Sequence, residues 1–177
     1  MTKTEMEQGF RKVWDLFAET DKQFKELRYF FERTDAKIDA LTGKWGRFVE
    51  GLAVPAAERL FVERGIVLEG VSPRNKRRKN GETLEVDVLA VGSEHVVVIE
   101  VKSTLSVDDV KDHLNALRQF KRFFPEYADR KVLGAVASIV LEEHVSRYAY
   151  QQGLFVIGQS GDAVQIMNDD KFHPKEW

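Results

Sequence analysis

Four consecutive β-branched residues, Val96-Val97-Val98-Ile99, constrain this chain more than any other feature. Neighbouring residues of a strand point to opposite faces, so such a run needs apolar cover on both sides. It predicts a strand inside a sheet that is layered on each face. The run ends in Glu100-Val101-Lys102, which places a carboxylate and an ammonium side by side on one face of the strand tip. Burying the strand and charging its end point to a task at that end.

The flanking segments fill in the layers. "TLEVDVLAV" (83–91) alternates and leads through a Gly92-Ser93 turn into the apolar run, as an antiparallel partner would. "IVLEGV" (66–71) reads as an earlier strand, and "SPRNKRRKNGE" (72–82) as a polar loop between the two. Ser106, with Asp109 three residues on, caps a helix whose apolar face is Val110, Leu114, Leu117, Phe120 and Phe124, and Pro125 closes it. "KVLGAVASIV" (131–140) is a buried strand and "EEHVSRYAYQQG" (142–153) a helix; "LFVIG" and "AVQIM" are two short strands. Ahead of all of them, the stretch from Leu41 to Ile66 is helical in pattern, interrupted near Gly43, Gly46 and Pro55. The expected class is α/β: a mixed sheet flanked by helices.

The front of the chain obeys a different period. Phe10, Phe17, Phe24, Phe31, Ile38 and Trp45 recur every seventh residue, interleaved with Met6, Val13, Thr20, Leu27, Thr34, Leu41 and Phe48. This is the a/d seam of a coiled coil, interrupted only by two threonines. One helix of roughly 35–40 residues, ~55 Å long, follows from the rise per residue. A seam of that length implies self-association; the other reading is a long helix docked on its own domain, since Trp14, Leu16 and Phe30 widen the apolar face. The division expected is a coiled-coil helix over 1–43 and a globular domain over 44–177.

The formal net charge is -2, so a polyanion site must come from local clustering. "RNKRRK" supplies it: Arg74, Lys76, Arg77, Arg78 and Lys79 fall just ahead of the charged hairpin, placed as a clamp for a phosphate backbone. The absence of cysteine excludes disulfides and cysteine-based zinc sites. No apolar run approaches a membrane span and none resembles a signal peptide, so the expectation is no membrane and a cytoplasmic location. His95, His113, His144 and His173 show no ligand spacing and receive no chemistry.

Strand periodicity puts Glu85 and Asp87 on one face, with Val86 and Val88 on the other. A turn at Gly92-Ser93 sets Asp87 opposite a residue near 98, so Asp87 and Glu100 approach diagonally. Two carboxylates so placed repel unless a cation such as Mg2+ lies between them, and Lys102 adds a point charge suited to a phosphate or an attacking water.

Asp87 with Glu100-Val101-Lys102, after a helix carrying Gly46-Arg-Phe-Val-Glu50 and before a helix carrying Gln119, resembles the PD-(D/E)XK nuclease superfamily, the restriction-endonuclease-like enzymes. The resemblance covers about residues 44–140 and includes the order helix, three strands, helix, strand. The seam-bearing front end resembles a prokaryotic group that joins such a helix to this fold. The resemblance implies that Asp87, Glu100 and the Val101 carbonyl hold Mg2+ (or Mn2+) and that Lys102 orients or activates the water. It also implies that Glu50 is an additional acid, with Glu58 competing for that place, and that Gln119 belongs to the site. Val86 stands where the name-giving proline would be, and Phe123 where a tyrosine follows Gln119. The implied activity is hydrolysis of DNA phosphodiester bonds by a coiled-coil oligomer. The other reading is a non-catalytic coiled-coil adaptor or nucleic-acid-binding protein on the same fold.

Overall fold

A computed structural model describes residues 54–160 and 163–177. The expected coiled coil, Glu50 and its glycine motif lie outside the described residues. A helix through 54–62 (α1) is followed by β1 (Gly70–Lys79), β2 (Glu82–Val91) and β3 (His95–Thr104). Then come α2 (Val107–Phe123), a 3-10 turn at Pro125–Tyr127, β4 (Lys131–Val140), α3 (Glu143–Gln151), β5 (Phe155–Ser160) and β6 (Ala163–Ile166). The six strands form one sheet in chain order. β3, β4 and β5 run parallel, and the remaining pairs are antiparallel. This is the mixed sheet flanked by helices that the apolar run requires.

The run at Val96–Ile99 divides the core as its periodicity dictates. Val96 and Val98 pack with Val110, Leu114, Leu117 and Phe120 of α2 and with Val145 and Ala149 of α3. Val97 and Ile99 pack on the other face with Ala57, Leu60 and Phe61 of α1. Each parallel step of the sheet is bridged by a helix, as parallel strands demand. α2 opens where expected: the Ser106 side chain accepts the Asp109 N–H, and the Asp109 carboxylate accepts the Ser106 N–H at 2.9 Å. Acidic residues in its first turn and Lys121 and Arg122 in its last complement the helix dipole.

The segment from Ser72 to Glu82 departs from expectation. It is not a loop: β1 runs through the basic residues to Lys79 and pairs with β2 along its length, from Gly70↔Val91 to Lys79↔Glu82. Asn80 and Gly81 turn the hairpin with φ of 51° and 81°, the two left-handed residues of a type I′ turn. An edge strand with few buried side chains has no apolar alternation to read, and its pairing rests on the backbone. Conversely, Ile66 and Leu68 are buried with Val67 exposed, yet the expected strand at 66–71 does not form; β1 begins only at Gly70.

Gly92 lets these pieces meet. A Cβ built there would lie 2.0 Å from the Val67 carbonyl oxygen, whereas one at Gly70 meets nothing within 4 Å. Gly92→Ala is therefore expected to cost ~1–3 kcal/mol. Gly70→Ala is expected to be neutral or slightly stabilising. Urea unfolding of the two variants checks the contrast.

Candidate active site

β2 and β3 pair only from Val91↔Val96 to Val88↔Ile99. Beyond that, β3 continues along β4 as far as Thr104↔Val140, while the rest of β2 stays with β1. The two strands part at Asp87 and Glu100, and the sheet opens into a fork. One more step of the ladder would set Asp87 directly opposite Glu100, not opposite a residue near 98. The connection is longer than a Gly92-Ser93 turn: the Gly92 N–H donates to the His95 carbonyl at 2.8 Å, and the position facing Asp87 moves by two residues, from 98 to 100.

The alternation of β2 also breaks at this point. Leu84 and Val86 lie in the core under α2, but Val88 and Ala90 lie in the core under α1. Val86 and Val88 therefore do not share a face, and the side-chain order slips at Asp87. On β1, Arg74 falls between the pairs Pro73↔Val88 and Asn75↔Val86 and has a φ of 54°. A non-glycine residue in the left-handed region is uncommon. Both strands kink together, which preserves their register while rotating the hairpin tip.

Asp87 closes the fork at its base. Its Oδ2 accepts the Val101 N–H at 2.8 Å, replacing the ladder partner lost where the strands separate. In a strand the N–H and C=O of one residue face the same side, so the Val101 carbonyl is also directed toward the fork. Glu100 and Lys102 occupy the face of β3 beneath α2. Lys102 Nζ lies 2.6 Å from Glu100 Oε1, with the glutamate side chain 21% exposed and the lysine 39%. Burial, then the charge of Asp87, hold the Glu100 carboxyl above the ordinary range, and Lys102 only partly offsets them. Burial alone would lower the Lys102 ammonium. Its bond to Glu100 and the charges of Glu100, Asp87 and Asp109 outweigh that, so it is held above its usual value.

α2 contributes two residues that had been given no part in the site. Asp109, read as a cap, bears electrostatically on both Glu100 and Lys102. His113, one turn further, is 3% exposed on the apolar stripe of α2. Burial lowers its pKa to about 4, the Lys102 charge adds to the effect, and a bond to the Val98 backbone opposes it. The available signal was its position three residues after Val110, on the buried face.

Other predicted residues lie elsewhere. Glu58 is exposed on α1, which packs on the opposite face of the sheet from Glu100 and Lys102. Gln119 is exposed and accepts from Arg122 at 2.9 Å. Ten residues along α2 separate it from Asp109, ~15 Å of helix, so the fold does not bring it to the acids. The basic run is divided by strand alternation. Arg77 pairs with Glu126 at 2.6 Å and covers the Phe124 ring, and Lys79 bonds the Arg122 carbonyl at 3.0 Å. Lys76 pairs with Glu85 at 3.0 Å, and Arg78 shares its face of β1. The five charges form no single loop clamp.

Among the described residues, no group of three or more His, Asp or Glu side chains is placed to hold a metal. The donors available at the fork are two carboxylates and one carbonyl, all hard oxygens of the kind Mg2+ or Mn2+ accepts with water and phosphate completing the shell. Among the described residues, no helix is long and apolar enough to cross a membrane.

No protein-family model matches the chain, and no curated protein matches it. Among solved structures it is similar to a protein of unknown function, at 16% identity over 66% of this chain and 58% of that one, with a TM-score of 0.40. It is also similar to EndoMS in a complex with dsDNA, at 24% identity over 59% and 44% of the two chains, TM-score 0.39. A third is a repair endonuclease from Pyrococcus abyssi, at 22% over 56% and 43%, TM-score 0.37. The chain thus matches between 43% and 58% of the length of these proteins. At such scores the likeness carries no inference about this chain.

The raised pKa of Glu100 fixes a sign. A carboxyl whose folded pKa is raised contributes its stability below the unfolded value and loses it as pH climbs through the folded value. Glu100→Gln is therefore expected to melt above wild type at about pH 8 and level with it at about pH 4. Thermal denaturation across that range checks it, and a variant that melts lower at alkaline pH contradicts it.

Proposed function

We propose that this chain is a metal-dependent nuclease of the PD-(D/E)XK kind that hydrolyses DNA phosphodiester bonds. The observation that carries the proposal is the meeting of Asp87, Glu100 and Lys102 where β2 and β3 part. Asp87, Glu100 and the Val101 carbonyl would hold Mg2+ or Mn2+. The ion, when bound, polarises the phosphate and acidifies a water. Everything else falls to the chain. Asp87 fixes the tip of β3 through the Val101 N–H, so that Glu100 and Lys102 are presented from a rigid strand. Lys102, held protonated, supplies a donor and a positive charge for a phosphate oxygen or the attacking water. Burial and the facing Asp87 destabilise the Glu100 carboxylate, and a divalent cation would relieve both.

Arg78 is offered for a backbone phosphate from the exposed hairpin tip, on the sheet face opposite Glu100 and Lys102, with Arg74 beside the fork; Lys76, on the same face as Arg78, is paired with Glu85. Glu50 retains the helix-acid role on its sequence motif alone. The seam over 1–43 would join two such domains, so that both strands of a duplex can be cut. A second reading has one observation in its favour: the 2.6 Å contact of Lys102 with Glu100 is a closed ion pair that suits a non-catalytic adaptor binding nucleic acid.

Plasmid, linear and branched DNA with Mg2+ or Mn2+ distinguish the two. Wild type is expected to cut at least one substrate, and Glu100→Ala and Lys102→Ala to lose roughly 100-fold or more. Equal rates for wild type and Glu100→Ala would end the enzymatic reading. Equal DNA binding by all three with no cleavage would establish the adaptor. Separately, Arg78→Glu is expected to weaken DNA binding and lower its salt dependence by about one ion, while Arg77→Glu, already paired in wild type, changes it less.

A further inference from the structure

The chain has four asparagines, Asn75, Asn80, Asn115 and Asn168, and the fold uses the side chains of all but Asn80. Asn75 donates to the Ser72 carbonyl at 2.9 Å, and Asn115 accepts from Arg118 at 2.6 Å. Asn168 is buried, accepting the Val156 N–H at 2.7 Å and donating to the Leu154 carbonyl at 3.1 Å. Asn80 is exposed, and its side-chain amide has no hydrogen-bond partner among the described residues. It holds its place through its backbone. A type I′ turn needs two residues in the left-handed region, and asparagine tolerates that region where most residues do not.

The demand of the turn sets two reactive groups side by side. Asn80 alone among the four precedes a glycine: Asn75 precedes Lys76, Asn115 precedes Ala116 and Asn168 precedes Asp169. Gly81 has no side chain to screen its backbone nitrogen, and a Cβ built there would meet nothing within 4 Å. The ladder closes with Lys79↔Glu82, so the Gly81 N–H lies outside it and makes no backbone hydrogen bond among the described residues. No hydrogen bond has to break for the Asn80 amide carbon to approach that nitrogen. The neighbouring charges of Arg78 and Lys79 favour loss of the Gly81 amide proton, which creates the nucleophile.

We propose that Asn80 is a site of spontaneous modification: cyclisation onto the Gly81 nitrogen, followed by hydrolysis. The Gly81 nitrogen gives its proton to solvent base and bonds to Asn80 Cγ. The Cγ–Nδ2 bond breaks, Nδ2 takes up a proton, and ammonia leaves behind a cyclic imide. Water then opens the ring. Breaking the new bond from Cγ to nitrogen gives aspartate; breaking the original peptide bond gives isoaspartate, whose main chain runs through Cβ and Cγ. No electrons are transferred, and water is the co-reactant.

Both products put a carboxylate beside Arg78 and Lys79 and lower the charge of the hairpin tip. Aspartate tolerates the left-handed region, so the turn persists. Isoaspartate lengthens the main chain by a methylene, and a two-residue turn no longer fits between Lys79 and Glu82. The contacts that tie the tip to α2, Lys79 Nζ on the Arg122 carbonyl at 3.0 Å and Glu82 on Arg122, depend on that pair. The inference is independent of the metal-binding reading of the fork.

The test ages the full chain at neutral and mildly alkaline pH, beside a synthetic peptide of residues 77–84, and follows digests by mass spectrometry. The fragment holding Asn80 is expected to gain the mass difference between an amide and a carboxyl group, faster at alkaline pH, while the other three asparagines stay intact. Endoproteinase Asp-N, which cuts before aspartate and not before isoaspartate, divides the two products. Fresh Asn80→Asp is expected to keep the amide-exchange protection of residues 76–85, and isoaspartate-rich protein to lose it there. An Asn80 still intact when the peptide has reacted, or earlier reaction at any other asparagine, overturns the proposal. Undiminished protection in isoaspartate-rich protein overturns its effect on the tip.

Discussion

One hydrogen bond organises the working end of this domain: the Val101 N–H to Asp87 Oδ2 at 2.8 Å. Where two strands separate, each leaves backbone groups that would otherwise be paired, and a buried orphan is costly. Asp87 meets that need with a carboxylate, a bond worth roughly 1.5–3 kcal/mol when one partner is charged. The strands can then diverge without loss, and the gap between them becomes a place for polar chemistry at the edge of an apolar core. Glu100 and Lys102 owe their position to it, since they extend from a strand whose tip has only β4 on one side and this contact on the other.

The electrostatics of the fork follow from that geometry. Lys102 pairs with Glu100, and the charges of Asp87 and of Asp109 from α2 bear on both. Burial raises Glu100, and the assembled acids keep Lys102 protonated. A site of this kind is paid for in stability when empty of cations and is relieved by one, which is the physical sense in which structure and proposed chemistry agree. On the same helix, His113 buries a ring nitrogen with no hydrogen-bond partner among the described residues, where the periodicity of α2 calls for an aliphatic side chain.

Much of this was legible in the residues. The β-branched run forced a layered sheet, and the Ser106–Asp109 pair marked the start of α2. The strand at 131–140 has the limits its composition indicated. Glu100 and Lys102 could be placed on a common face from spacing alone. Three things were not legible. The basic segment looked like a loop because an exposed edge strand carries no periodic signal, although Asn80-Gly81 advertised its turn. The register at Asp87 depended on a longer turn after Val91. The kink at Arg74 and Asp87 slips one residue, and a period-2 pattern cannot announce where it is broken.

The sequence by itself determined which residues are apolar, where the helices and central strands lie, and that a carboxylate and an amine share the tip of a buried strand. Those are consequences of spacing along one chain. The tertiary structure decided which acid faces Glu100, that Asp109 and His113 overlook the fork, and that Glu58 and Gln119 do not. It also split the basic run between two faces of a hairpin. These depend on how separate elements are brought together, and a single pair of ladder steps or one left-handed residue is enough to change them.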